Sequence, residues 1–140
     1  MIANRSVPAA SVIPVLAYPD VREATEWLCD AFGFRVRLRI GDHRAQLIHG
    51  DGAVIVTRLR DAAPPESMAT HSVHVSVEDA DAHYERAVAA GAWTTSAPTE
   101  DPYGEKQYSA EDPGGHLWTF SESVADVDPA SWGGELVEDR

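Results

Sequence analysis

A pattern that recurs halfway along the chain limits what this sequence can fold into. Residues 20–33 read D-V-R-E-A-T-E-W-L-C-D-A-F-G, and residues 78–91 read E-D-A-D-A-H-Y-E-R-A-V-A-A-G. Both copies follow a short apolar run, both end at glycine, and both lead into a strand-like segment. Repetition of this kind implies two similar units that bury their apolar faces against each other. The space between them is the natural place for a ligand.

The first unit reads as a strand, a helix and three strands. Residues 11–18 form an apolar run in which Pro14 favours an edge position. Asp20 suits a helix N-cap, and Glu23 three residues later suits a capping box. Ala24, Trp27, Leu28, Ala31 and Phe32 recur at helical spacing, and Gly33 fits the left-handed position past the helix end. Residues 34–40 alternate, which puts Arg35, Arg37 and Arg39 on one strand face and Phe34, Val36, Leu38 and Ile40 on the other. That arginine face reads as solvated, with an anion-binding wall as the functional alternative. Strands at 45–49 and 53–57 complete the unit.

The second unit repeats the plan. It has strands at 71–77, 92–96, 106–111 and 116–121, and a helix capped by Glu78 or Asp79 and carrying Ala80, Tyr84, Ala87 and Val88 on its apolar face. The chain therefore divides into one domain over residues 1–123 and an acidic C-terminal tail over 124–140. Within the domain, unit one spans about 11–60, a Pro64-Pro65 linker spans 61–70, and unit two spans 71–123. Trp132 is the tail residue able to anchor it.

The formal net charge of −12 repels nucleic acid and anionic lipid, so neither is an expected partner. A single cysteine, Cys29, rules out an intramolecular disulfide and suits a reducing compartment. Its place in the helical pattern suits a buried thiol rather than a nucleophile. No run reaches the length of a transmembrane helix, and a cytoplasmic location is expected. Dinucleotide and phosphate-binding glycine motifs, H-E-x-x-H and the G-x-S-x-G elbow are all missing.

The duplicated order of elements, the glycine helix ends and the turn Asp112-Pro113-Gly114-Gly115 before a last strand together resemble the vicinal oxygen chelate superfamily. This is the group of glyoxalase I, bleomycin-resistance proteins, fosfomycin-resistance enzymes and extradiol dioxygenases. The likeness covers roughly residues 12–121, and residues 102–120 resemble its glyoxalase or bleomycin-resistance-like branch. It implies an α+β fold of two paired βαβββ units. Each unit's sheet would form a half-barrel, the two would enclose one cavity, and subunits would pair as a homodimer.

In that family His, Gln or Glu side chains on the first and last strand of each unit hold a divalent metal. Carried over position by position, those sites fall on Ile13, Val56, Ser72 and Thr119. None is a usual ligand for zinc, nickel or iron. The expectation is a metal-free cavity that binds a hydrophobic or aromatic small molecule, as in antibiotic sequestration or self-resistance. The candidate ligand-binding residues are Ile13 and Val56 as apolar walls, with Ser72, His74, Tyr103 and Thr119. Gln46, Ser72 and Ser76 are further sources of orienting hydrogen bonds, and Tyr108 is either core or a second stacking ring.

The alternative is an enzyme: a metal-dependent lyase, isomerase or dioxygenase with unrecognised ligands such as His74 and Glu122, or metal-free acid–base catalysis by His74. Histidine titrates near neutral pH and so suits that last role. A third class is an interaction module working through the acidic tail. Among the other histidines, His116 reads as structural, His43 and His49 as solvated near turns, and His83 as exposed on the second helix. Trp93 reads as a core or dimer contact.

Overall fold

The computed structural model describes residues 4–59 and 71–136. The expected linker at 61–70 lies outside the described residues. The first unit comprises β1 (Val15–Tyr18), α1 (Val21–Phe32), β2 (Arg35–Ile40), β3 (Arg44–His49) and β4 (Gly52–Arg58). The second comprises β5 (Val73–Ser76), α2 (Ala80–Ala89), β6 (Trp93–Thr94), β7 (Thr99–Glu100), β8 (Glu105–Glu111) and β9 (Leu117–Ser123). The first sheet runs β1-β4-β3-β2 and the second β5-β9-β8-β6, with β7 also pairing β8. In both, the first strand lies parallel to the last. The repeat in sequence is thus a repeat of α+β topology. The additional strand β7 falls in the stretch 98–104 that reads as loop.

Both helices begin where the sequence signals them. Asp20 accepts from Glu23 N at 3.0 Å, and Asp79 accepts from Ala82 N at 3.0 Å. Each bond satisfies an N–H that the first helical turn leaves free. Gly33 ends α1 with φ 80°, and Arg86 from α2 donates to the exposed carbonyls of Asp30 (2.9 Å) and Cys29 (3.2 Å). A guanidinium there also opposes the negative end of the helix dipole. Arg86 therefore ties the two helices together at that point.

The helix-facing sides of both sheets build one core. Leu16, Leu47, Val54 and Val56 from the first sheet join Tyr108, Ala110, Trp118 and Phe120 from the second around Leu28 and Phe32. Phe32 lies 4.7 Å from Phe120 and 5.3 Å from Trp118 between ring centroids, so α1 packs on the second unit's sheet as well as its own.

Asp112 fastens the units. Its buried carboxylate accepts from Tyr18 Oη (2.6 Å) and Trp118 Nε1 (2.9 Å) through one oxygen, and from Gly114 N (2.9 Å) and His116 N (3.0 Å) through the other. His116, also buried, bonds the carbonyl of Ala17 through Nε2 at 2.8 Å. The Asp-Pro-x-Gly turn is thus a clamp on β1 of the other unit, and His116 is structural as its position suggests.

Two local expectations are corrected. The alternation over 34–40 is broken by a β-bulge between Val36 and Leu38. Beyond it Leu38 pairs with Gln46 and Ile40 with Arg44, on the side away from α1, while Arg39 pairs with buried Ala45. The three arginines therefore do not share a face, because an extra residue in a strand reverses every side chain after it. His83 is not an exposed helix residue. It is half-buried, with Nδ1 at 2.5 Å from Tyr108 Oη and Nε2 at 3.0 Å from the carbonyl of Phe32. Trp93, on the edge strand β6, is 69% exposed and takes no part in the core.

Candidate functional site

With one face of each sheet committed to the helices, the opposite face is available for recognition. On the second sheet this open face is polar. Register aligns His74, Thr119 and Ser109 across β5, β9 and β8, and then Ser76, Ser121 and Gln107. Val73, Val75, Trp118 and Phe120 alternate with them and point to the core. His74 is half-exposed, and its Nε2 lies 3.6 Å from Glu105 Oε1. The same carboxylate oxygen accepts from Ser121 Oγ at 2.7 Å. Ser109 and Thr119 share a 2.9 Å hydroxyl hydrogen bond, and Gln107 Nε2 donates to Asp101 at 2.9 Å. The result is a hydrogen-bonding floor in which Glu105 is oriented by Ser121 and faces an accessible imidazole.

Beside this floor, a cleft of about 350 Å³ lies where β5 meets the first unit. It is lined by Val12, Pro14, Phe34, Val54, His74 and Ser76 among others. It combines aliphatic and aromatic walls with a few polar groups, the composition of a small-molecule site. A larger cleft of about 680 Å³ adjoins it between the β3–β4 turn and the start of α2, lined in part by His49, Asp51, Asp79, His83 and Arg86. Burial is the main cause that pushes the His83 imidazole below its ordinary pKa, and nearby His49 and Arg86 act in the same direction. A neutral ring suits its place between a phenol and a carbonyl. Burial likewise raises the Cys29 thiol, which argues against a thiolate nucleophile.

The residues expected from sequence separate. His74 and Thr119 are register partners on the open face, and Ser72 is exposed one residue ahead of β5. Ile13 is half-buried just before β1. Val56 is fully buried in the helix-side core opposite Leu16, so it cannot wall an open-face cavity; its neighbour Ile55 has the required direction. Tyr103 packs edge-on against Trp132 at 4.9 Å and is about half-exposed. Tyr108 is core. Gln46 is buried on the first sheet's open face. Glu122 is turned to the helix side, where it accepts from Ala80 N at 2.9 Å.

Glu105, Ser109 and Ser121 were not singled out from sequence. The alternation of Glu105, Gln107, Ser109 and Glu111 against Lys106, Tyr108 and Ala110 was the signal available. The donor set does not suit the superfamily's divalent metal. On the strand pairs that would hold it, β1 and β4 present Val15, Ala17, Ile55 and Thr57 to the open face, and β5 and β9 present His74 and Thr119. His74 and Glu105 are one nitrogen and one carboxylate. Among the described residues no group of three or more His, Cys, Asp or Glu side chains is placed to hold a metal ion.

Residues 11–120 match the family model of the Glyoxalase/Bleomycin resistance protein/Dioxygenase superfamily, and the chain belongs to that superfamily. Among solved structures it is similar to TioX from Micromonospora sp. ML1, with 34% identity, 83% of this chain and 100% of that chain covered, and a TM-score of 0.68. It shares its fold with the bleomycin-binding protein of bleomycin-producing Streptomyces verticillus, solved with copper(II)-bleomycin. That likeness has 24% identity, 81% and 96% coverage and a TM-score of 0.61. An uncharacterised protein of Mycobacterium bovis is 29% identical over 133 residues, covering 86% of each chain. No helix among the described residues is long and apolar enough to cross a membrane.

Proposed function

We propose that this protein binds a hydrophobic or aromatic small molecule without a metal cofactor, and that it serves to sequester an antibiotic-like compound. The observation that carries the reading is the open face of the second sheet. There His74 and Ser76 line a cleft with aliphatic and aromatic walls, Glu105 and three hydroxyls lie beside them on the same face, and the strands that would supply metal ligands offer His74 alone among aliphatic and hydroxyl side chains. Apolar walls supply the gain from burial, and the few polar groups set the ligand's orientation. The bleomycin-binding protein shows that this fold can hold a drug. A homodimer completes the proposal. Val15 (53% exposed) and Trp93 (69%) leave apolar surface on the first sheet and on β6 for a second copy to cover. The acidic charge and single cysteine fit a protein working in the cytoplasm.

Calorimetric titration with a panel of aromatic natural products, metal-free bleomycin included, tests this in the presence of EDTA. The expected result is saturable binding, weakened about tenfold by His74→Ala through loss of one buried hydrogen bond. Failure of the whole panel, or binding indifferent to both His74→Ala and Glu105→Gln, would refute the proposed site.

One geometric observation favours a second reading, metal-free acid–base catalysis. A Glu105 oxygen lies 3.6 Å from His74 Nε2, which sets a carboxylate and an imidazole side by side on an accessible face. This reading predicts product formation from a bound ligand and its loss in Glu105→Gln. The binding reading predicts ligand recovered unchanged.

A further inference from the structure

Residues 4–8, ahead of β1, lie across the open face of the first sheet, and Gln46 is the pivot of the contact. Register places Gln46 on that face, opposite Ile55 of β4 and Leu38 of β2. A glutamine directed away from the helix should meet solvent, yet Gln46 is only 3% exposed. Its Nε2 donates to the carbonyl of Ser6 at 2.8 Å, and its Oε1 accepts from Arg37 Nη1 at 2.7 Å. Arg37 Nη2 donates in turn to the carbonyl of Arg5 at 2.9 Å. Pro8 is itself buried. Asn4 shapes the segment by accepting from Ser6 N through its side chain at 3.0 Å.

The bulge between Val36 and Leu38 matters here, because it lets Arg37 and Leu38 both reach the side on which Gln46 lies. The two clasped atoms are adjacent main-chain carbonyls. The segment is thus held by two hydrogen bonds, one of them from a charged group on a partly exposed side chain. Such a hold is modest and reversible. The face beneath it carries Arg37 and Gln46 as polar donors beside Ile55 and Leu38, a combination that suits an apolar molecule with an anionic or carbonyl group.

We infer that residues 4–8 form a strap that closes the part of the first unit's open face around Arg37 and Gln46, and that this part accepts a ligand only when the strap is lifted. The closure concerns the first unit and does not depend on what the second unit binds.

Trypsin reports the strap directly. The bond it would cut, Arg5–Ser6, carries the carbonyl that Arg37 holds, so cleavage of the full chain requires opening. Mass spectrometry should find this bond cut about tenfold more slowly in the full chain than in a free peptide of residues 1–10, with Arg37→Ala restoring most of the peptide rate. Equal rates in chain and peptide, or no acceleration in Arg37→Ala, would overturn the closure. Should Arg37→Ala fail to fold, Gln46→Ala tests the second bond in the same assay.

Access is tested separately with 8-anilinonaphthalene-1-sulfonate. Protein lacking residues 1–8 but retaining Arg37 should bind the dye about tenfold more tightly than the full chain, and added peptide of residues 1–8 should compete. Unchanged dye affinity, or no competition by the peptide, would overturn the gating.

Discussion

Replacing Asp112 by alanine should be among the most damaging single changes in this protein. The carboxylate accepts four hydrogen bonds at 2.6 to 3.0 Å and is 5% exposed. Two donors, the Tyr18 hydroxyl and the Trp118 indole N–H, belong to residues 2% and 0% exposed and have no other acceptor among the described residues. A buried donor left unpaired costs about 1–3 kcal/mol. The backbone N–H groups of Gly114 and His116 belong to a turn and regain part of their loss through water. The expected penalty for Asp112→Ala is about 3–5 kcal/mol, a fall in Tm of about 10–15 °C for a chain of this size. Asp112→Asn keeps one acceptor oxygen but turns an amide toward one pair of donors, at a cost of about 2 kcal/mol. Tyr18→Phe removes a single bond and leaves the carboxylate three partners, at about 1 kcal/mol. Differential scanning calorimetry of the three variants should return that order. A Tyr18→Phe loss equal to that of Asp112→Ala, or an Asp112→Ala melting point within about 3 °C of the parent, would show that Asp112 is not the clamp between the units.

Other consequences follow from the same contacts. His83 is held neutral, so the stability it contributes is complete above its ordinary pKa of 6.5 and drains as pH falls toward its lowered folded value. Tm should therefore decline on acidification below that point, and the decline should be shallower in His83→Gln when both are melted across a pH series. At Gly104, φ is 86° and an added Cβ would sit 2.3 Å from the carbonyl oxygen of Ala125. Gly104→Ala should cost about 2–3 kcal/mol by urea denaturation through strain and clash together. Trp132→Ala removes the edge-on contact with Tyr103 and should cost about 0.5–1 kcal/mol, with faster proteolysis of the stretch after Ser123.

Element order was legible because its signals are local. Asp20 and Asp79 cap helices by bonding N–H groups three residues away, and Gly33 supplies a left-handed turn. The strand expected at 116–121 is present as β9, in which Trp118 and Phe120 face the core and Thr119 the open side. Trp132 was legible as a tail anchor because an aromatic ring in a polar stretch has few other uses. The bulge in β2 was not legible, because Arg-Val-Arg-Leu-Arg alternates in sequence whether or not the pairing slips. The misplacement of Val56 has a related origin. Counting from distant glycines leaves an uncertainty of one residue, and one residue exchanges the faces of a strand. His83 was misread because its partners, Tyr108 and the Phe32 carbonyl, are 25 and 51 residues away. Glu105 was missed for a similar reason: its meeting with His74 depends on how the second sheet brings β5 and β8 together.

The central claim is that the second sheet's open face recognises its ligand without a metal. Elemental analysis of purified, untagged protein after loading with zinc, nickel, iron or manganese and then desalting tests it most directly. The account predicts a residual metal content well below one ion per chain, equal in the parent and in His74→Ala/Glu105→Gln. One retained ion per chain, lost in that double variant, would contradict it and restore metal-dependent chemistry as the leading function.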